Sequence, residues 1–175
     1  MHLSTAQWQV LRECIEGEEN LQRVLSILGV QGAEPLGKGQ SVLVVDDDPT
    51  IIAFIHCVLE KNGYLPMIST SAAASLSVLR IKPPDLILTD MAMPDMDGNE
   101  FYARLRQIPE TAHTPVVFIT GTIIPEEEAE LNRMTEEGKS YLAKPFNASK
   151  LLTIISAQLT RKRAPRALRP EPVVR

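Results

Sequence analysis

Apolar residues along the chain fall into two rhythms. Between residues 41 and 160, short runs rich in Val, Ile and Leu alternate with stretches in which apolar positions recur every three or four residues. The runs predict strands at about 41–45, 65–69, 85–89, 115–119 and 140–143, and the stretches predict helices at about 49–61, 71–80, 98–107, 125–137 and 147–160. Asp48-Pro49 suits a helix start, because Asp can cap and Pro in the first turn gives up an N–H that would be unbonded anyway. Gly63 and Gly138 suit the ends of the first and fourth helices. Five β–α units of this kind predict an α/β fold, a doubly wound five-stranded parallel sheet with right-handed crossovers.

Outside this region the rhythm changes. In residues 1–28, Val10, Cys14, Leu21, Val24 and Leu28 form a helical stripe, widened by Leu11 and Leu25, with Ser4 or Thr5 as N-cap. Gly17, flanked by Glu16, Glu18 and Glu19, can split this N-terminal helical extension in two. Its stripe suits packing on the rest of the chain, a partner helix or a homodimer, and the intervening glycines favour the last two. Residues 29–40 hold four of the nine glycines and read as a linker, 41–160 as the main domain, and 161–175 as a Pro- and Arg-rich disordered tail.

Composition narrows the function classes. The formal charge of −4 is too mild to demand a polyanionic partner, but it is unevenly spread. All seven Asp lie between Asp46 and Asp97, whereas residues 161–175 carry six basic residues against Glu171, a net of +5. That tail has no interleaved aromatics, so a nucleic-acid partner is not expected. Cys14 and Cys57 make neither a disulfide framework nor a zinc motif, and a reduced, cytoplasmic setting fits them. Cys57 is expected in the core, and His56 is read as a structural or surface residue. No run of about 18 apolar residues occurs, so no membrane partner is expected, and the N-terminus lacks the pattern of a secretory signal.

The chemistry gathers at the strand ends. Ser41–Val45 runs into Asp46, Asp47 and Asp48, 85–89 into Asp90 and the turn Pro94-Asp95-Met96-Asp97-Gly98, 115–119 into Thr120, and 140–143 into Lys144-Pro145. Open α/β sheets bind ligands at the C-terminal ends of their strands. Asp46, Asp47 and Asp90 are expected to share a pocket there. Three close carboxylates call for a hard cation such as Mg²⁺, which accepts one or two carboxylates together with a phosphate oxygen.

The segments VLVVDDDP, DLILTDMAMPDMDG, PVVFIT and YLAKPF, in this order and spacing, resemble the receiver domains of bacterial two-component response regulators. The resemblance implies a flavodoxin-like receiver fold and a phosphoacceptor signalling domain rather than a classical enzyme. It implies Asp90 as phosphoacceptor, and Mg²⁺ held by Asp46, Asp47, Asp90 and the backbone carbonyl of Ala92. Thr120, Gly121 and Lys144 would receive the phosphoryl group, and Thr120 with Tyr141 would form the switch. Implied partners are a histidine kinase or histidine phosphotransfer protein and a downstream protein target, reached through the glutamate-rich stretch 125–137. Alternatives are the receiver module of a hybrid kinase and an interaction-only receiver. A transcription factor would need a DNA-binding domain, which 15 basic, Pro-rich residues cannot fold. A haloacid-dehalogenase-like phosphohydrolase would match Asp46, Asp48 and Thr50, but it needs late acids, usually including Asp, and no Asp follows Asp97.

Overall fold

The computed structural model describes residues 36–122 and 139–163, with side chains described up to residue 160. Five parallel strands, β1 (Ser41–Val45), β2 (Leu65–Ser69), β3 (Leu86–Asp90), β4 (Val116–Thr120) and β5 (Lys139–Ala143), lie in the order β2-β1-β3-β4-β5. The described helices are α1 (Pro49–Lys61), α2 (Ala72–Leu79), α3 (Gly98–Gln107) and α4 (Ala148–Arg163). This is the doubly wound flavodoxin-like arrangement expected from the alternating pattern. The expected N-terminal helices, helix 125–137, the Gly138 terminator and the far tail lie outside the described residues.

Alternation along each strand sends apolar side chains to both sheet faces. On one, Val42, Val44, Leu88 and Ile119 meet Ile55 and Leu59 of α1 and Leu151 and Ile155 of α4. On the other, Leu43, Val45, Ile87 and Phe118 meet Leu79 of α2 and Phe101 and Leu105 of α3. Burial of both faces explains why the central strands read as continuous apolar runs. Cys57, expected in the core, is only half-buried. The turn of α1 nearest it places Ile55, Val58 and Leu59 inward instead.

Local chemistry sets the element ends. Asp48 caps α1 by accepting from Thr50 N–H at 2.7 Å, with Pro49 in the first turn. Gly63, at φ 78°, turns the chain out of α1 in a conformation that only glycine adopts cheaply. The strand expected from residue 85 begins at Leu86, because Asp85 exchanges hydrogen bonds with Ser41: its Oδ2 accepts from Ser41 N–H at 3.0 Å. The one expected from residue 115 begins at Val116, since Pro115 has no N–H to donate. The last residues of the expected linker lie against the main body: Gly37 N–H donates to Asn62 O at 2.8 Å and Gly39 N–H to Gly63 O at 3.1 Å.

Candidate functional site

In this sheet order the crossover direction reverses between β1 and β3, which opens a crevice at their C-terminal ends. Asp46 follows β1 and Asp90 ends β3, so the two carboxylates flank that crevice. Both are buried, 1 % and 7 % exposed, because the strands that deliver them are covered on both faces. Lys144, just after β5, sends its ammonium across to them, 2.7 Å from Asp90 Oδ1 and 3.4 Å from Asp46 Oδ2. Its backbone is tied down by its own N–H, which donates to Thr120 O at 2.8 Å.

The remaining carboxylate oxygens are bonded too. Asp46 Oδ1 accepts from Asp48 N–H at 2.8 Å, and Asp90 Oδ2 accepts from Ala92 N–H at 2.9 Å. Burial pushes the Asp46 carboxyl up from 3.8. The Asp48 N–H and the Lys144 charge oppose that rise, while the Asp90 charge adds to it. Burial alone would lower the Lys144 amine, but its hydrogen bond to Asp90 and the charges of both acids outweigh it, and the net shift is upward from 10.5.

Two of the three expected acids are thus brought together, and Asp47 stands exposed beside them. Among the described residues no three His, Cys, Asp or Glu side chains gather at one point. One ammonium can balance one carboxylate and part of a second; a third at contact distance would add repulsion with nothing to offset it. The donor set around Asp46 and Asp90 is nonetheless all oxygen, buried and one negative charge in excess. Such a set fits a hard divalent cation.

Thr120 ends β4 between Asp90 and Lys144 and is only 3 % exposed. Its hydroxyl pairs with the Thr122 hydroxyl at 2.8 Å and accepts from Thr122 N–H at 3.1 Å. Thr122 is therefore a neighbour of the site through a bond that spacing alone does not show. Gly121 is exposed, and among the described residues a Cβ built there meets nothing within 4 Å. Tyr141 stacks on Phe118 at 5.3 Å between ring centroids and 25° between planes, one pleat below Thr120. His56 lies away from this cluster, with Nδ1 3.4 Å from Glu60 on the surface of α1.

The loop from β3 to α3 is held at three points. Gly98 N–H returns to Met91 O at 2.9 Å, and Asp97 caps α3 by accepting from Glu100 N–H at 2.9 Å. Asp95 reaches sideways to α2, where its Oδ2 accepts from the Ser71 hydroxyl at 2.8 Å and from Ala73 N–H at 3.0 Å. Those two bonds hold the Asp95 carboxyl below 3.8, the Ala73 N–H contributing most. Asp95 carries no role in the sequence reading, because its partners lie more than twenty residues away.

Residues 42–156 match the family described as the response regulator receiver domain. The chain is 33 % identical over 130 residues to the sensor histidine kinase TmoS of Ectopseudomonas mendocina, covering 74 % of this chain but only 13 % of that protein. The chemotaxis protein CheY4 of Vibrio cholerae superposes with a TM-score of 0.59 at 28 % identity, covering 68 % of this chain and 98 % of the other. A likeness of fold, at 23 % identity and a TM-score of 0.60, links 70 % of this chain to 98 % of the receiver domain of sensor histidine kinase PA1611 from Pseudomonas aeruginosa PAO1, whose structure has a magnesium ion coordinated in the active site cleft.

Proposed function

This chain belongs to the response regulator receiver family, and from that membership we propose that Asp90 accepts a phosphoryl group from a histidine kinase or histidine phosphotransfer protein with the help of Mg²⁺. The observation that carries the reading is the shared ammonium: Lys144 draws Asp90 and Asp46 together at the switch point of the sheet. Asp46, Asp90, the Ala92 carbonyl and, by its place beside Asp46, Asp47 are the residues that would hold the cation. The magnesium in the PA1611 receiver is in keeping with that choice. When bound, Mg²⁺ supplies positive charge that offsets the phosphoryl oxygens and the crowded carboxylates.

The protein's own part is positioning and charge. An Asp90 carboxylate oxygen attacks phosphorus in line as the bond to the donor's imidazole nitrogen breaks, and the imidazole leaves with that electron pair. Phosphoryl transfer asks little covalent chemistry of the protein, so the placement of Asp90 by the covered strand β3 matters most. Lys144 exchanges part of its pairing with Asp90 for the new phosphoryl oxygens. Thr120 turns its hydroxyl from Thr122 toward them, and the Tyr141 ring fills the space that Thr120 leaves. Phosphorylation shifts the population of these packings only as far as it favours one of them.

Output is made through protein contacts, with residues 1–28 and 125–137 as the candidate surfaces and a homodimer as one form. The domain limits 1–28, 29–40, 41–160 and 161–175 belong to this proposal. Because the chain spans so little of TmoS, a receiver module of a hybrid kinase is the second reading. Incubation with acetyl phosphate and Mg²⁺, followed by intact mass, tests the proposal. One phosphoryl group is expected on the protein, none without Mg²⁺ and none on Asp90→Asn. An unmodified protein that also binds no beryllofluoride would sink it.

A further inference from the structure

The ammonium of Lys139, the first residue of β5, sits among aromatic rings. Its Nζ lies 5.0 Å from the ring centroid of Phe118, 5.1 Å from that of Tyr102 and 5.8 Å from that of Tyr141. All three fall within the roughly 6 Å over which an ammonium is attracted to the negative face of an aromatic ring. The rings also touch one another: Tyr141 stacks on Phe118, and Tyr102 meets Phe118 at 5.8 Å and 51°. Tyr102 is held in turn by Arg106, whose guanidinium carbon lies 4.2 Å from its centroid. Arg106 is itself anchored, donating to Thr111 O at 2.9 Å and Thr114 O at 3.0 Å.

We propose that Lys139 is a positioning residue for the Tyr141 ring, its ammonium holding that ring stacked on Phe118 one pleat below Thr120. The proposal rests on Asp90 as phosphoacceptor and on Tyr141 as the ring that moves. Placement links the two levels. Phe118 and Tyr141 are partners across β4 and β5, and one pleat further along the same pair of strands Thr120 stands opposite Ala143, next to Lys144. Phe118 is fully buried and has no room to yield, whereas Tyr141 and Lys139 are half-buried. The movable members are therefore the tyrosine and the cation. A Tyr141 ring that leaves the stack gives the ammonium two ring faces instead of three.

The ring is stacked while the Thr120 hydroxyl still holds Thr122, so the stacked rotamer is the one the ring must leave when Thr120 turns to a phosphoryl group. Lys139 then stabilises the resting packing. A ligand whose competent state is already populated binds with higher apparent affinity, in proportion to that population. Loss of the ammonium is expected to strengthen beryllofluoride binding about two- to fivefold, the range set by one partly exposed cation–π contact.

The test uses the full chain with ring-fluorinated tyrosine, fluorine NMR, and the Lys139→Met and Lys139→Arg variants. Tyr64→Phe, Tyr102→Phe and Tyr141→Phe assign the three resonances. The Tyr141 resonance, displaced by the Phe118 ring current, should move toward the free tyrosine position in Lys139→Met and stay in place in Lys139→Arg. Beryllofluoride affinity with Mg²⁺ should rise in the first variant and be unchanged in the second. Unchanged Tyr141 resonance and affinity in Lys139→Met would overturn the proposal, and so would Lys139→Arg behaving like Lys139→Met. If the unsubstituted protein bound no beryllofluoride, the receiver reading would fail by itself, while the resonance comparison would still decide whether Lys139 holds Tyr141.

Discussion

Asp46 and Asp95 are two carboxylates that the fold shifts in opposite directions, and their pH signatures are correspondingly opposite. Asp46 is raised first by burial, so the native state holds its proton more tightly than the unfolded chain does. The stability it lends is present at acid pH and is lost as pH rises from 3.8 through its higher native value. A divalent cation that binds the ionised form offsets this loss. Mg²⁺ should therefore raise the melting temperature more at neutral than at acid pH, as thermal denaturation would reveal. Asp95 is lowered by the Ala73 N–H and the Ser71 hydroxyl, so its contribution is present above 3.8 and is lost as pH falls through its native value. Asp95→Ala should lower stability near neutrality, and the gap from the unsubstituted protein should close in acid. A gap that persisted unchanged would show that the carboxylate charge is not what anchors the loop to α2. Tyr64 makes a third case: its buried hydroxyl finds no partner among the described residues. Tyr64→Phe is accordingly expected to leave stability unchanged or raise it by up to about 1 kcal/mol in a denaturant titration, since no bond is lost and a buried polar atom is removed.

The elements joining these residues were largely legible from apolar rhythm and cap chemistry. Strand β1 and helix α1 begin and end where Ser41–Val45 and Asp48-Pro49 suggest. Strands β3 and β4 start one residue late, for reasons that lie in single groups: the Asp85 carboxylate turned onto Ser41, and the missing N–H of Pro115. The site was legible where chemistry sits at a strand end, as with Asp90 and Lys144. It was not legible where a partner comes from a distant element or hides among apolar positions. Asp95 bonded to the start of α2 and Lys139 among three rings are of this kind, whereas the Thr120–Thr122 hydroxyl pair and the exposed position of Asp47 turn on local side-chain direction, which spacing alone does not fix. Gly98 shows how closely element packing approaches the site. A Cβ there would stand 3.0 Å from Asp90 O, 3.1 Å from Met91 Cα and 3.2 Å from Phe118 Cδ1, two of which are backbone atoms. Gly98→Ala should cost about 1–3 kcal/mol of unfolding free energy and slow phosphorylation, because α3 must back away from the strand that carries Asp90. Equal stability and equal rate would mean that α3 is not seated as described.

At the scale of the whole molecule, one sheet gathers groups from four strand ends that lie up to 98 residues apart in sequence, as the Asp46–Lys144 pair shows. Among the described residues no helix is long and apolar enough to cross a membrane. The acidic mouth and the basic last residues separate charge along the chain, and the family match over 42–156 covers the part that contains the mouth. The central claim is that Asp90, alone among the seven aspartates, takes the phosphoryl group. Borohydride reduction after incubation with acetyl phosphate and Mg²⁺ tests it most directly, because it converts an aspartyl phosphate into homoserine that peptide mass spectrometry can locate. Homoserine at position 90, lost when Mg²⁺ is withheld, is the predicted result. Homoserine at Asp46, Asp47 or Asp48 instead, or at no position while the protein carries phosphate elsewhere, would contradict the account.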